Sequence, residues 1–312
     1  SLLLYPIDYS NKRVSLVFNL SQKIIDENGV TTVLGTSYPY HSVEVAIKLK
    51  NRYKEKLQIV TYHFDLMFYP NNLNLLVYYY KRWKFLQAFK NEVSTVDKIL
   101  LPESYNGTKL APNVSLVGLP VFIIDPDFDR SDYSYPVNTI NITYIGSLDS
   151  VNRNPKSILT FFREICIKSG LKIRIHIWGN LVDVETFQLI KEDSIVEYHG
   201  TVENRYVMDL LKKTDFLLNL SNKVTYNLIP SKIFQFFSSN KPVINFVHNK
   251  NDVSLKYFKE YANSINIEAN TLHLYHDKLI SFILNRLKDS GNSSGNFERF
   301  TPGYICERII NN

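Results

Sequence analysis

From about residue 138 to residue 267, short β-branched runs alternate with amphipathic stretches, in an order that suits right-handed parallel βαβ crossovers. Strands are predicted at 140–145, 172–178, 195–199, 216–220, 243–246 and 264–267. Helices are predicted between them at 155–168, 184–191, 204–213, 231–239 and 252–260. Pro155 suits a first helical turn, Ser231 an N-cap and Gly170 a C-terminal stop. This half therefore reads as a doubly wound α/β domain.

The first half repeats the theme less completely, with strands predicted at 31–34, 57–63, 96–101 and 114–119 and helices at 42–54 and 75–91. A whole nucleotide-type domain usually begins with a strand and a Gly-rich turn. Residues 1–30 offer neither, and the chain starts at Ser1 without the basic start and apolar core of a signal peptide. The opening strand and loop are thus expected to be missing, leaving the first domain incomplete at its N-terminus. The segment 125–136, with Asp125, Asp127, Asp129, Asp132 and two prolines, reads as an interdomain linker. The expected domains are 1–137 and 138–297, followed by a helical tail within 298–312 that could pack back on the first domain.

Composition narrows the class. With 312 residues, 45% of them hydrophobic, the chain is long enough for two packed domains, which excludes disorder. No apolar run nears the roughly 20 residues a bilayer span requires. Cys166 and Cys306 are too few and too far apart for a disulfide framework or a Cys-rich zinc site. That favours a reducing, cytoplasmic compartment, with both thiols read as buried small hydrophobes.

In open parallel sheets ligands collect beyond the carboxyl ends of the strands, where helix N-termini offer free N–H groups to anions. Three strand-to-helix turns carry chemistry. Gly146-Ser147-Leu148, followed by Arg153-Asn154-Pro155-Lys156, puts a glycine turn and two cations at a helix mouth, fit for a diphosphate or simply a solvated basic loop. Gly200-Thr201-Val202 could read the edge of a base through its backbone. Most specific is the run Asn227-Leu228-Ile229-Pro230-Ser231-Lys232, leading to Gln235 and then Lys241-Pro242-Val243. A lysine in a first helical turn conflicts with the positive dipole end there, and an anionic ligand would relieve the conflict.

These motifs together resemble the GT-B nucleotide-sugar glycosyltransferases, closest to family 4 and related bacterial polysaccharide enzymes. Tyr144-Ile145-Gly146-Ser147, Arg153-Asn154-Pro155, Ile177-Trp178-Gly179, Tyr198-His199-Gly200 and Pro230-Ser231-Lys232-Ile233-Phe234 carry the resemblance. It implies two Rossmann-like domains, the second binding the donor. Arg153 would meet the diphosphate, Gly200 to Val202 the base, and Asn227 to Lys232 the sugar and phosphates. Such enzymes often carry two glutamates where this chain has Asn227 and Gln235, which can hydrogen-bond hydroxyls but bring no charge. The resemblance also points to His63, with Asp65 as its partner, near the acceptor; the alternative is a histidine that merely caps a strand end.

The implied activity is transfer, with retention of configuration, from a nucleotide-diphosphate sugar to a glycan or lipid-linked acceptor in surface polysaccharide or capsule synthesis. UDP is the nucleotide the resemblance favours. No cofactor is expected, and no Asp-x-Asp motif suggests a catalytic metal. A non-catalytic subunit binding a partner enzyme or glycan is the alternative. An epimerase of the same architecture is disfavoured because no carboxylate pair suggests itself. Over 78–85 aromatics and cations interleave, with no acidic residue between Asn71 and Asn91. This stretch is either an amphipathic helix with its rings in the core or a surface for an anionic membrane on the inner face of the plasma membrane. With a net charge of only +6, nucleic acid is not an expected partner.

Overall fold

The computed structural model describes residues 7–37, 40–63, 75–102, 110–117, 129–224, 226, 229–288 and 297–310, with the backbone alone at 7–11, 75–78, 81 and 308–310. Two compact units emerge, one of residues 1–119 and 303–312 and one of 120–302.

The first unit contains α1 (Ile7–Asn28), β1 (Thr32–Thr36), α2 (His41–Tyr53), β2 (Gln58–Tyr62), α3 (Leu75–Thr95), β3 (Lys98–Pro102) and β4 (Val114–Val117). Its four strands are parallel and adjacent in chain order, β1-β2-β3-β4. Val43, Ala46, Ile47 and Leu49 of α2 pack on Ile59 and Ile99 of the sheet, joined by Val14 and Ile25 of α1. On another cluster Ile305 packs with Val60, Tyr62, Leu100 and Val117.

In the second unit the elements are β5 (Ile140–Ile145), α4 (Lys156–Ser169), β6 (Ile173–Trp178), α5 (Val184–Glu192), β7 (Val196–Gly200), α6 (Asn204–Lys213), β8 (Phe216–Leu220), α7 (Lys232–Ser239), β9 (Val243–Val247), α8 (Leu255–Glu260), β10 (Ser264–Glu268) and α9 (His276–Lys288). The last helix of the chain is α10 (Pro302–Ile310), whose Ile305 is the residue just placed in the first unit. The second sheet is parallel in the order β10-β9-β8-β5-β6-β7, so chain order reverses at β5, which pairs with both β8 and β6. Ligands gather at such a switch point. Spacing explains the packing: Ile158, Leu159, Phe161, Phe162 and Ile165 of α4 form one buried stripe. Gly170 ends that helix at φ 70°, its N–H on the Cys166 carbonyl at 2.9 Å.

Several expectations are corrected. Ser231 is no side-chain N-cap; its backbone is already helical and its hydroxyl caps nothing. Cys306 is exposed and Cys166 half-buried, with burial pushing the Cys166 thiol up. The segment read as an interdomain linker runs along the second unit over 129–136. There the Ser131 N–H and Oγ donate to Asp209, and Tyr135 donates to the Leu210 carbonyl. The stretch at 7–28, without a predicted element, is α1: its apolar residues surround the helix, Val14 and Ile25 buried but Leu16, Leu20 and Ile24 exposed, so no single stripe marks it.

Candidate functional site

The loops beyond β5 and β8 meet at the switch point and are tied together. Arg153 Nε donates to Asn222 Oδ1 at 2.7 Å, the Val224 N–H donates to Asn152 Oδ1 at 2.9 Å, and the Lys223 N–H donates to the Asn152 carbonyl at 3.0 Å. Asp183, the N-cap of α5, accepts from the N–H groups of Thr186 at 2.8 Å and Ser150 at 2.7 Å. Those donors hold its carboxyl down at about 2. The turn that carries Arg153 is therefore held at both ends.

Lys232 is the first residue of α7 and reaches back to the end of β5. Its Nζ donates to the Ile145 carbonyl at 3.0 Å, lies 3.4 Å from the Tyr144 hydroxyl and sits 4.5 Å from that ring's centroid. Although part of the residue meets solvent, burial, and after it the Arg153 guanidinium, hold the ammonium well below the usual lysine range. Burial likewise pushes the Tyr144 hydroxyl up to about 12 against the opposing pull of Arg153. Among the described residues no carboxylate pairs with Lys232 or Arg153. Two cations and a helix N-terminus thus share one place without a counter-charge, the electrostatics of an anion site.

The glycines are steric requirements here. Gly146 has φ 141°, and a Cβ on it would lie 2.6 Å from Lys232 Nζ. A Cβ on Gly179, also at φ 141°, would fall 2.1 Å from the Gly146 carbonyl oxygen. Gly179→Ala is expected to destabilise the second unit by about 3 kcal/mol or more, combining backbone strain with overpacking. A calorimetric scan should show a melting temperature about 6–12 °C lower; an unchanged transition would contradict this packing.

Of the residues singled out in the sequence, Gly146, Ser147, Arg153 and Lys232 come together around Tyr144, which donates to the Ser147 carbonyl at 2.9 Å. Gly200, with φ 74°, joins through Gly179, whose N–H donates to the Gly200 carbonyl at 2.7 Å. Thr201 is exposed and Val202 half-buried beyond that turn. Ile229 and Pro230 are half-buried before α7, Ser231 is exposed, and Gln235 is half-buried one turn after Lys232. Asn227 lies outside the described residues. Tyr144 and Asn222 were missed as site residues. Tyr144 alternates inward in its strand like any core residue, and Asn222 carries no motif.

In the first unit His63 follows β2, and its N–H donates to the Leu100 carbonyl at 2.9 Å. The partner shown is Glu92 of α3; Asp65, the expected partner, lies outside the described residues. His63 Nε2 and Glu92 Oε1 are 2.7 Å apart, with the two residues 2% and 0% exposed. Thr61 Oγ1 donates to the same carboxylate oxygen, and Tyr40 donates to the other at 3.3 Å. Burial and Glu92 push the Tyr40 hydroxyl far above its ordinary range. Elsewhere on α3 the described rings of Tyr79, Tyr80 and Trp83 are exposed beside exposed Arg82 and Lys84, whereas Phe85 and Phe89 turn inward, Phe89 edge-on to His63. Among the described residues no helix is long and apolar enough to cross a membrane.

By sequence the chain matches no protein-family model and no curated protein. By fold it is similar to solved structures. TarM superposes with a TM-score of 0.58 at 10% identity over 86% of this chain and 58% of TarM, so this chain spans less than two thirds of that protein. S. aureus MnaA with UDP gives 0.55 at 11% identity over 99% of this chain and 82% of MnaA. WaaG, a glycosyltransferase involved in lipopolysaccharide biosynthesis, gives 0.55 at 11% identity over 87% and 83%. The fold is the two-domain GT-B arrangement of Rossmann-like units expected from the motifs.

Proposed function

We propose that this protein is a retaining, nucleotide-sugar-dependent glycosyltransferase that moves a hexose from a nucleotide diphosphate, UDP foremost, to a glycan or lipid-linked acceptor in surface polysaccharide synthesis. The observation that carries the reading is the cation couple without a carboxylate, Lys232 and Arg153, at the switch point of the second sheet. Both charges address the departing diphosphate. Stabilising charge that develops on a leaving group is where preorganised cations contribute most. Gly200, Thr201 and Val202 take the base, while Asn227, Ile229, Pro230, Ser231 and Gln235 surround the sugar and phosphates.

His63 is the proposed general base. With Glu92 accepting from Nε2, the lone pair is held on Nδ1, and the carboxylate stabilises the imidazolium that forms, as the acid of a catalytic triad does. Tyr79, Tyr80, Arg82, Trp83 and Lys84 support contact with an anionic membrane surface, where interfacial aromatics and cations both gain. This contact supports a lipid-linked acceptor met at the inner face of the membrane.

Arg153→Ala is expected to weaken UDP binding about 10–100-fold, the loss of one charged hydrogen-bonding group. Calorimetric titration of UDP, GDP, ADP and CMP into both proteins reads this directly. Equal affinity in the variant removes Arg153 from the site. The amides Asn227 and Gln235, in place of carboxylates, favour the second reading, a subunit that binds donor or glycan without turnover. Tight UDP binding with no release of UDP from any UDP-sugar would select it.

A further inference from the structure

Away from the donor turn, four side chains of the second unit converge: two imidazoles, a carboxylate and a phenol. His176 and Glu197 face each other in register on β6 and β7, and His199 follows Glu197 by two, on the same face. Tyr133 lies over them from the bound segment 129–136. His176 Nδ1 is 3.1 Å from His199 Nε2 and 3.0 Å from Tyr133 Oη, and the latter two atoms are 3.3 Å apart. The Glu197 carboxylate stands 3.5 Å from Tyr133 Oη, 3.7 Å from His176 Nδ1 and 3.8 Å from His199 Nε2.

Asn141 Nδ2 donates to the carbonyls of Pro136 at 3.1 Å and Thr139 at 3.2 Å and to Asp215 at 3.3 Å, which turns its Oδ1 toward His176 Nε2 at 3.0 Å. His176 must then donate from Nε2, and in the neutral ring Nδ1 is a bare lone pair. That lone pair can accept from His199 while Tyr133 donates to Glu197 Oε1 at 3.5 Å, and the carboxylate stays beyond hydrogen-bond reach of either imidazole. A cation at the centre answers all four groups. One ligand atom from each of His176, His199 and Glu197 lies within 4.8 Å of the others, with Tyr133 Oη 3.0 Å from His176 Nδ1, a convergence from which one ion can be reached by all of them.

We propose that His176 Nδ1, His199 Nε2 and the Glu197 carboxylate, with Tyr133 Oη beside them, form a site for one divalent cation of the zinc type. Imidazole with oxygen donors in tetrahedral array is a zinc set. The His176–Asn141 bond is the outer-shell contact that orients a ligating histidine. Trp178 stacks on His199 with centroids 4.2 Å apart and closes one side, whereas half-exposed Glu197 opens the other to the ion. The ion is structural. It joins the segment at Tyr133 to β6 and β7 where their register shifts between Ile177 and Trp178, just before Gly179 and Gly200.

The test is titration of Co²⁺, then Zn²⁺, into the chelator-treated full chain. One equivalent of Co²⁺ with the intense visible bands of tetrahedral coordination, displaced by Zn²⁺ with a rise in melting temperature, is expected. Glu197→Gln, at a half-exposed position, should lower Zn²⁺ affinity at least 10-fold, and His199→Ala should abolish the bands. His273→Ala, at a histidine outside the cluster, should change nothing. Pale, octahedral-type Co²⁺ spectra, or binding that both cluster variants leave intact, would overturn the site. UDP affinity belongs to the donor turn and neither supports nor opposes the cation site.

Discussion

Replacing Lys232 by methionine should weaken UDP binding about 10–100-fold and, in the unliganded protein, raise the melting temperature. The two effects have one cause. The ammonium is placed where burial and Arg153 both oppose its charge, so its proton is held less tightly in the folded chain than in the unfolded one. The sign follows from linkage. Between the lowered folded pKa and the unfolded value of 10.5 the unfolded chain binds more protons, so stability rises with pH across that interval. Below the folded pKa the penalty is complete; above 10.5 it has vanished. Methionine fills the same space without the charge, so the variant's advantage should be largest at low pH and disappear at high pH.

The same linkage predicts the ligand's behaviour. A diphosphate favours the protonated lysine, so binding above the free protein's lowered pKa takes up a proton, and affinity falls as pH rises. Thermal scans and titrations at several pH values check both halves. A lysine kept for packing would give the reverse pattern, with Lys232→Met less stable and UDP affinity unchanged, and that result would remove the proposed donor site.

How far the sequence reveals this depends on the kind of signal each feature leaves. β5 and β8 fall where their apolar runs put them because both faces of each are buried, and α6 where periodicity puts it because it buries one face. The Gly146 and Gly200 turns were legible because few residues other than glycine tolerate positive φ. Helix α9 carries an apolar stripe as well, with Leu279 and Ile283 buried and Ile280 packed beside them on the core. α3 misled. Its aromatics suggested a core face, yet Tyr80 and Trp83 stack on each other at the surface. The partners of His63 and His176 lie 29 and 35 residues away on other elements. No local spacing encodes them; only the sheet brings Glu92, or Asn141 and His199, into reach.

Glu92→Gln should slow sugar transfer about 10²–10⁴-fold, the usual worth of a positioned acid or base, while leaving UDP affinity unchanged. Every proposed donor-binding residue belongs to the second unit, whereas Glu92 and His63 belong to the first. Glutamine keeps the volume and can still accept from His63 Nε2, so the fold should survive. It removes the negative charge that an imidazolium needs, and because Thr61 shares the oxygen that faces His63, its NH₂ must face Tyr40, which donates to the carboxylate now. Glu92→Leu is the harsher comparison. Three buried donors lose their acceptor, each at about 1–3 kcal/mol, so the first unit should lose about 3 kcal/mol or more. Steady-state release of UDP, with water or an added acceptor, reads the rate; calorimetry reads the affinity and the fold. A folded Glu92→Gln protein that turns over at the parent rate would take His63 out of the chemistry and leave the His63–Glu92 pair as a support beneath the end of β2.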